Sequence, residues 1–153
     1  MARRSFAMGR EPLLRRLQRE WQAFQDAVAG LPDAVLVKPG IVGRWSLRDV
    51  LCHITTWEEE FLKVLPLILA GQPLPRYGGI DAFNDREQER KRGLSLDAVK
   101  RQLAATHERL LAAVAGLPQV DDTVERRLRR RLRLDTYHHY QEPAAQIVAW
   151  RKV

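Results

Sequence analysis

The chain has one cysteine, Cys52, among 153 residues. A single thiol excludes an internal disulfide and predicts a reducing, cytoplasmic setting. Cys52 itself reads as a small buried hydrophobe rather than a reactive group. No apolar run approaches the roughly 20 residues of a membrane span, because charges interrupt every candidate. The N-terminus carries Arg3 and Arg4 but lacks the apolar stretch of a secretory signal. Residues 1–10 read as a flexible leader, with Met1 and Met8 both candidate starts. Internal repeats and low-complexity segments are absent. Negative charge is scarce: 19 Asp and Glu stand against 26 Lys and Arg, for a net charge of +7. The densest basic run, Arg126-Arg127-Leu128-Arg129-Arg130-Arg131-Leu132-Arg133, carries no aromatic residue to stack on bases. It therefore reads as a solvated connector, held to the protein by Leu128, Leu132 and Leu134. A nucleic-acid partner is the weaker alternative.

What is present is helical periodicity. The length suits one domain with one core, residues 11–153. Leu14, Leu17, Trp21, Phe24, Val28 and Leu31 recur three and four apart, predicting a first helix opened by Glu11-Pro12 and ended by Gly30 and Pro32. Residues 32–44 form a loop. Ser46 caps a second helix running to about Ala70, with Asp49 at the capping-box position. Its seam is Leu47, Val50, Leu51, Ile54, Trp57, Phe61 and Leu65, and Pro66 is expected to bend it. After a loop over 71–79, residues 81–92 read as a polar, partly helical crossover. Ser95 caps a third helix with the seam Leu96, Val99, Leu103, Leu110, Val114 and Leu117, stopped by Gly116 and Pro118. Asp135 is the expected N-cap of a fourth helix ending near Trp150. The sum is an all-α four-helix bundle with a long crossover between helices two and three. The seams of helices one and two suit a homodimer as well as packing within the chain.

Four histidines are the candidates for chemistry. His53 stands at the margin of the second seam, one turn from Val50 and Trp57, as a packed residue or a ligand. His107 falls on the third seam, where a lone histidine reads as a satisfied core residue. His138 and His139 open the fourth helix. Glu58, Glu59 and Glu60 read as a solvated face.

Trp45-Ser46-Leu47-Arg48-Asp49-Val50-Leu51-Cys52-His53-Ile54-Thr55-Thr56-Trp57-Glu58 resembles a signature of the DinB-like four-helix bundles. Tyr77-Gly78-Gly79-Ile80-Asp81-Ala82-Phe83-Asn84 and the segment from Asp135 to Glu142 match the ClbS/DfsB branch of that superfamily. The resemblance covers the chain from about residue 11 onward. It implies a divalent metal, zinc or nickel, held by three histidines, one on the second helix and two on the fourth. Two of these map onto His53 and His139. The third belongs four residues after His139, where this chain has Pro143, which offers no ligand atom and disturbs the helix. Glu142 could restore a third donor, since zinc accepts mixed nitrogen and oxygen ligands, and a kink at Pro143 could turn His138 inward instead. The resemblance thus implies a stress or detoxification bundle acting on a small electrophilic metabolite, with a degraded metal site. The alternatives are a metal-dependent thiol transferase or hydrolase with a rebuilt site, and a non-enzymatic binding module.

Overall fold

A computed structural model describes the chain in full from residue 10 to 153, and by its backbone alone over residues 2–9. Met1, one of the two candidate starts, lies outside the described residues. Among the described residues are seven helices and, beyond an isolated bridge between Val42 and Trp45, no β-structure. They are α1 (Ala2–Val28), α2 (Asp33–Leu36), α3 (Leu47–Leu69), α4 (Ile80–Lys91), α5 (Leu96–Ala115), α6 (Asp122–Asp135) and α7 (Tyr137–Arg151). The bundle is α1, α3, α5 and α7. Helix α3 is its hub, with α4, α5, α6 and α7 all packed against it, while α1 lies along α7.

Local chemistry sets the ends of α3. The Ser46 side chain accepts from the Asp49 amide at 3.1 Å, and the Ser46 amide donates to the Asp49 carboxylate at 3.0 Å. Both halves of the capping box therefore form. The preceding loop turns through Gly43 at φ +59, a left-handed conformation that suits glycine. Along α3, Leu47, Val50, Leu51, Ile54, Trp57 and Phe61 are buried, as the seam predicts, and so is Cys52. The helix continues through Pro66 to Leu69.

Four expectations need correction. First, α1 begins before Glu11-Pro12, and Pro12 lies inside it. Arg10, expected in a free leader, donates to the Leu117 carbonyl at 2.8 Å and pairs with Glu125 at 2.7 Å. Second, the loop over 32–44 contains the short helix α2. Third, the Arg-rich connector is a helix. Asp121 caps α6 by accepting from the Val124 amide at 2.9 Å, and Leu128 and Leu132 are fully buried. Leu134 is exposed and takes no part in that anchoring. Fourth, Asp135 does not cap the last helix. It ends α6, where it accepts from Arg131 at 2.6 Å, and the chain breaks direction at Thr136 (φ −121, ψ −98).

The crossover is more ordered than its polarity suggests. Helix α4 docks through Phe83, which meets Trp57 with ring centroids 5.1 Å apart, and through Asn84, which accepts from the Trp57 indole at 3.0 Å. Arg48 on α3 donates to the Lys91 and Leu94 carbonyls at 2.8 and 2.6 Å, tying down the end of α4. The crossover thereby forms a wall beside the middle of α3.

Candidate functional site

His53 sits on the second turn of α3 and His139 on the first turn of α7. The packing of α7 against α3 brings the two rings together, with centroids 4.7 Å apart and planes inclined by 68°. They share the wall of a cavity of about 160 Å³ with Val42, Trp45, Val50, Glu142, Pro143 and Gln146. Trp45 leans on His53 at 4.8 Å, and Trp57 stacks almost parallel to His139 at 5.6 Å. The crossover wall supports this stack, because Tyr77 and Phe83 pack on Trp57 and on each other.

The pocket keeps both imidazoles neutral at physiological pH. Burial pushes His53 down to about 3, with His139 and Lys91 adding to the effect. Burial and the neighbouring His138 push His139 down to about 4, against the opposing Leu134 carbonyl. His139 Nδ1 is buried with no hydrogen-bond partner. A neutral imidazole with a free lone pair can ligate a metal, accept a hydrogen bond or act as a base.

The fit to a metal can be tested on the donor set. A tight zinc centre takes three or four protein ligands. Among the described residues, no group of three or more His, Cys, Asp or Glu side chains is placed to hold an ion. Glu142 reaches the cavity wall but is exposed, and so is His138, whose ring lies 6.0 Å from His139. Pro143, which has no ligand atom, also lines the cavity. Helix α7 runs on through it to Arg151, so the proline does not end the helix. Two imidazoles do not fit the three-histidine centre.

A second polar cluster lies across α3 and was not legible in the sequence. Glu58 is fully buried, contrary to its reading as part of a solvated face. One of its oxygens, Oε1, accepts from the Tyr140 hydroxyl and faces His107 Nδ1 at 2.6 Å. Trp21 stacks on His107 with centroids 3.7 Å apart. Burial and Glu58 push the Tyr140 phenol well up, so it remains a neutral donor. Glu58 Oε2 and His107 Nε2 are buried without partners. A signal for Glu58 did exist: it stands four residues after Ile54 and three before Phe61, on the apolar seam.

The sequence profile of the DinB superfamily matches residues 16–150. No curated protein matches the chain. Among solved structures, one titled "Sibling Lethal Factor Precursor - DfsB" superposes with a TM-score of 0.76 at 16% identity, over 94% of this chain and 95% of that one. At that identity the likeness is one of fold.

Proposed function

The chain belongs to the DinB superfamily, and on that premise we propose that it binds a small electrophilic metabolite in a stress or detoxification role, with its three-histidine metal centre degraded. One observation carries the reading. Two neutral imidazoles, His53 and His139, pack edge to face in the wall of a small, mainly apolar cavity, whose lining also includes Pro143, which has no ligand atom. In such a pocket an imidazole lone pair is available to an electrophile directly, or to a water that attacks it. Val42, Val50 and Trp45 limit solvent access and favour uncharged ligands. A cytoplasmic location belongs to the same proposal, on the evidence of the single buried thiol. The proposal does not require a homodimer. Nor does it require nucleic acid.

The test is the metal content of the purified, untagged protein after incubation with zinc or nickel, beside the Pro143→His variant. Wild type is expected to retain little metal, and the variant roughly one ion per chain, because position 143 shares the cavity with both histidines. One tightly held ion per wild-type chain would overturn the degraded-site reading, and Glu142 would then be the first ligand to substitute. For the ligand class, wild type is expected to consume a small epoxide faster than the His139→Gln variant does. Equal rates would sink the electrophile assignment.

A further inference from the structure

Helix α6 carries six arginines between Arg126 and Arg133, and they divide into two sets. Arg127 donates to the Gln72 carbonyl at 2.8 Å, and Arg131 donates to Asp135 and to the Tyr77 hydroxyl, so these two serve the fold. The other four, Arg126, Arg129, Arg130 and Arg133, follow the spacing i, i+3, i+4 and i+7, which is one stripe of a helix. They line a groove of about 580 Å³ to which α1 adds a fifth guanidinium, that of Arg16. Pro12 and the buried Leu13 and Tyr137 complete the lining, and no Asp or Glu belongs to it. The groove shares no lining residue with the His53–His139 pocket.

The charge in this groove is not balanced by the protein. Arg129 pairs with Glu125 at 2.9 Å, but Glu125 is shared with Arg10. Arg16 lies over the Tyr137 ring, 4.7 Å from its centroid. Among the described residues, no carboxylate forms an ion pair with Arg16, Arg126, Arg130 or Arg133. All four are exposed, so a ligand in solution can reach them. A guanidinium is charged at any physiological pH, so the field of the groove does not depend on a titration. Like charges at i and i+4, such as Arg126 with Arg130 and Arg129 with Arg133, repel on a helix surface. An anion seated among them replaces that repulsion with attraction. The stripe from Arg126 to Arg133 is about 10 Å long, at the usual rise of a helix. That length suits a compact ligand with several charges, and the arginine fork matches phosphate oxygens two at a time. A nucleic-acid strand is the poorer match, because the one aromatic ring in the lining is buried and covered by Arg16, which leaves no platform for a base.

We infer that the groove between α1 and α6 is a second binding site, which takes a short chain of linked phosphates, free or carried by a small molecule. Arg126, Arg130 and Arg133 hold it from α6 and Arg16 from α1. The site stands apart from the histidine pair and does not depend on the function proposed for that pocket.

The experiment titrates the full chain with inorganic tripolyphosphate, inorganic phosphate, ATP and a short single-stranded oligonucleotide, by calorimetry near physiological ionic strength. Wild type is expected to bind tripolyphosphate at least about tenfold more tightly than phosphate, the worth of one or two added charge-assisted hydrogen bonds. ATP at the same strength would assign the phosphate chain whatever carries it, whereas exclusion of ATP would assign the free inorganic chain. The double variant Arg130→Gln/Arg133→Gln should weaken tripolyphosphate at least about tenfold, and Arg16→Gln should weaken it from the other helix. The double variant Arg101→Gln/Arg109→Gln loses the same charge from exposed positions of α5 and should stay within about twofold of wild type. No binding of tripolyphosphate, or binding no tighter than that of phosphate, would overturn the inference. An equal loss in the α5 variant would overturn it too, by reducing the effect to net charge. Tighter binding of the oligonucleotide than of tripolyphosphate would replace the site with a nucleic-acid face. If the α6 variant does not fold, Arg16→Gln and the wild-type series still decide the matter.

Discussion

His53 and His139 make a prediction about acid stability. In the folded chain they take up protons only at about 3 and about 4, whereas an unfolded chain protonates near the ordinary value of 6.5. Between pH 6.5 and about 4 the unfolded state therefore binds more protons, and stability falls as pH falls through that window. The loss across that window should be about 3 kcal/mol per histidine. His53→Gln should lose less stability than wild type between pH 7 and pH 4.5 in urea titrations. An unchanged pH dependence would show that the pocket does not hold the ring neutral. Asp135 works in the opposite direction. Burial raises its carboxyl to about 6, against the pull of Arg131, so its contribution improves as pH falls through 6 toward its unfolded value of 3.8. At this scale the two facing histidines were readable, because each lies within a recognisable segment. Glu58 was misread although its spacing from Ile54 and Phe61 places it on the seam, because its neighbours Glu59 and Glu60 resemble a solvated run.

Among the elements, α6 most clearly separates composition from structure. Its arginines give it the look of a loop, yet Leu128 and Leu132, four residues apart, put one stripe into the core. Leu132→Ala should cost about 2–5 kcal/mol in chemical denaturation, the usual range for a buried leucine. Arg130→Ala, on the exposed side, should stay within about 0.5 kcal/mol. A solvated connector would show small effects at both positions. Helix α3 offers a second check: Ser46→Ala removes half of the capping box and should cost about 1 kcal/mol by the same measurement. The cap was legible from four residues of sequence because it is entirely local. The position of the break before α7 was not. Asp135 looks like an N-cap, but the nearby Arg131 recruits its carboxylate to the end of α6.

Across the whole molecule, the start of the described side chains is tied to the far half of the chain. Glu125 is buried, yet Arg10 and Arg129 hold its carboxyl below the usual carboxylate range. Arg10 also serves the Leu117 carbonyl, so one guanidinium joins α1 to the turn before α6 and to α6 itself. Arg10→Ala leaves Glu125 with a single cationic partner. It should lower stability by about 1–3 kcal/mol at pH 7, measured by urea denaturation. A value near zero would mean that Arg129 alone satisfies the buried carboxylate. Arg131 plays a similar part at the crossover, donating to Asp135 and to the Tyr77 hydroxyl, each at 2.6 Å, while Tyr77 donates to Glu60. Some of the basic excess is thus spent within the fold, which weakens the case for a nucleic-acid face.

The sequence by itself determined the four long bundle helices, the caps at Ser46 and Ser95, the seams and the bundle they imply, but not α2, α6 or the start of α7. The features it determined depend on residues within a few positions of each other, where spacing and side-chain type decide the outcome. The family resemblance implied that His53 and His139 lie together, and the two rings meet. Tertiary structure alone decided that the Arg-rich segment docks as the helix α6, and that Glu58, His107 and Tyr140 meet beside Trp21. Those contacts join α1, α3, α5 and α7 over separations of 49 residues (His107 to Glu58) and 82 residues (Tyr140 to Glu58). No local pattern encodes such a meeting, because it depends on how each helix is rotated about its axis once the others are in place.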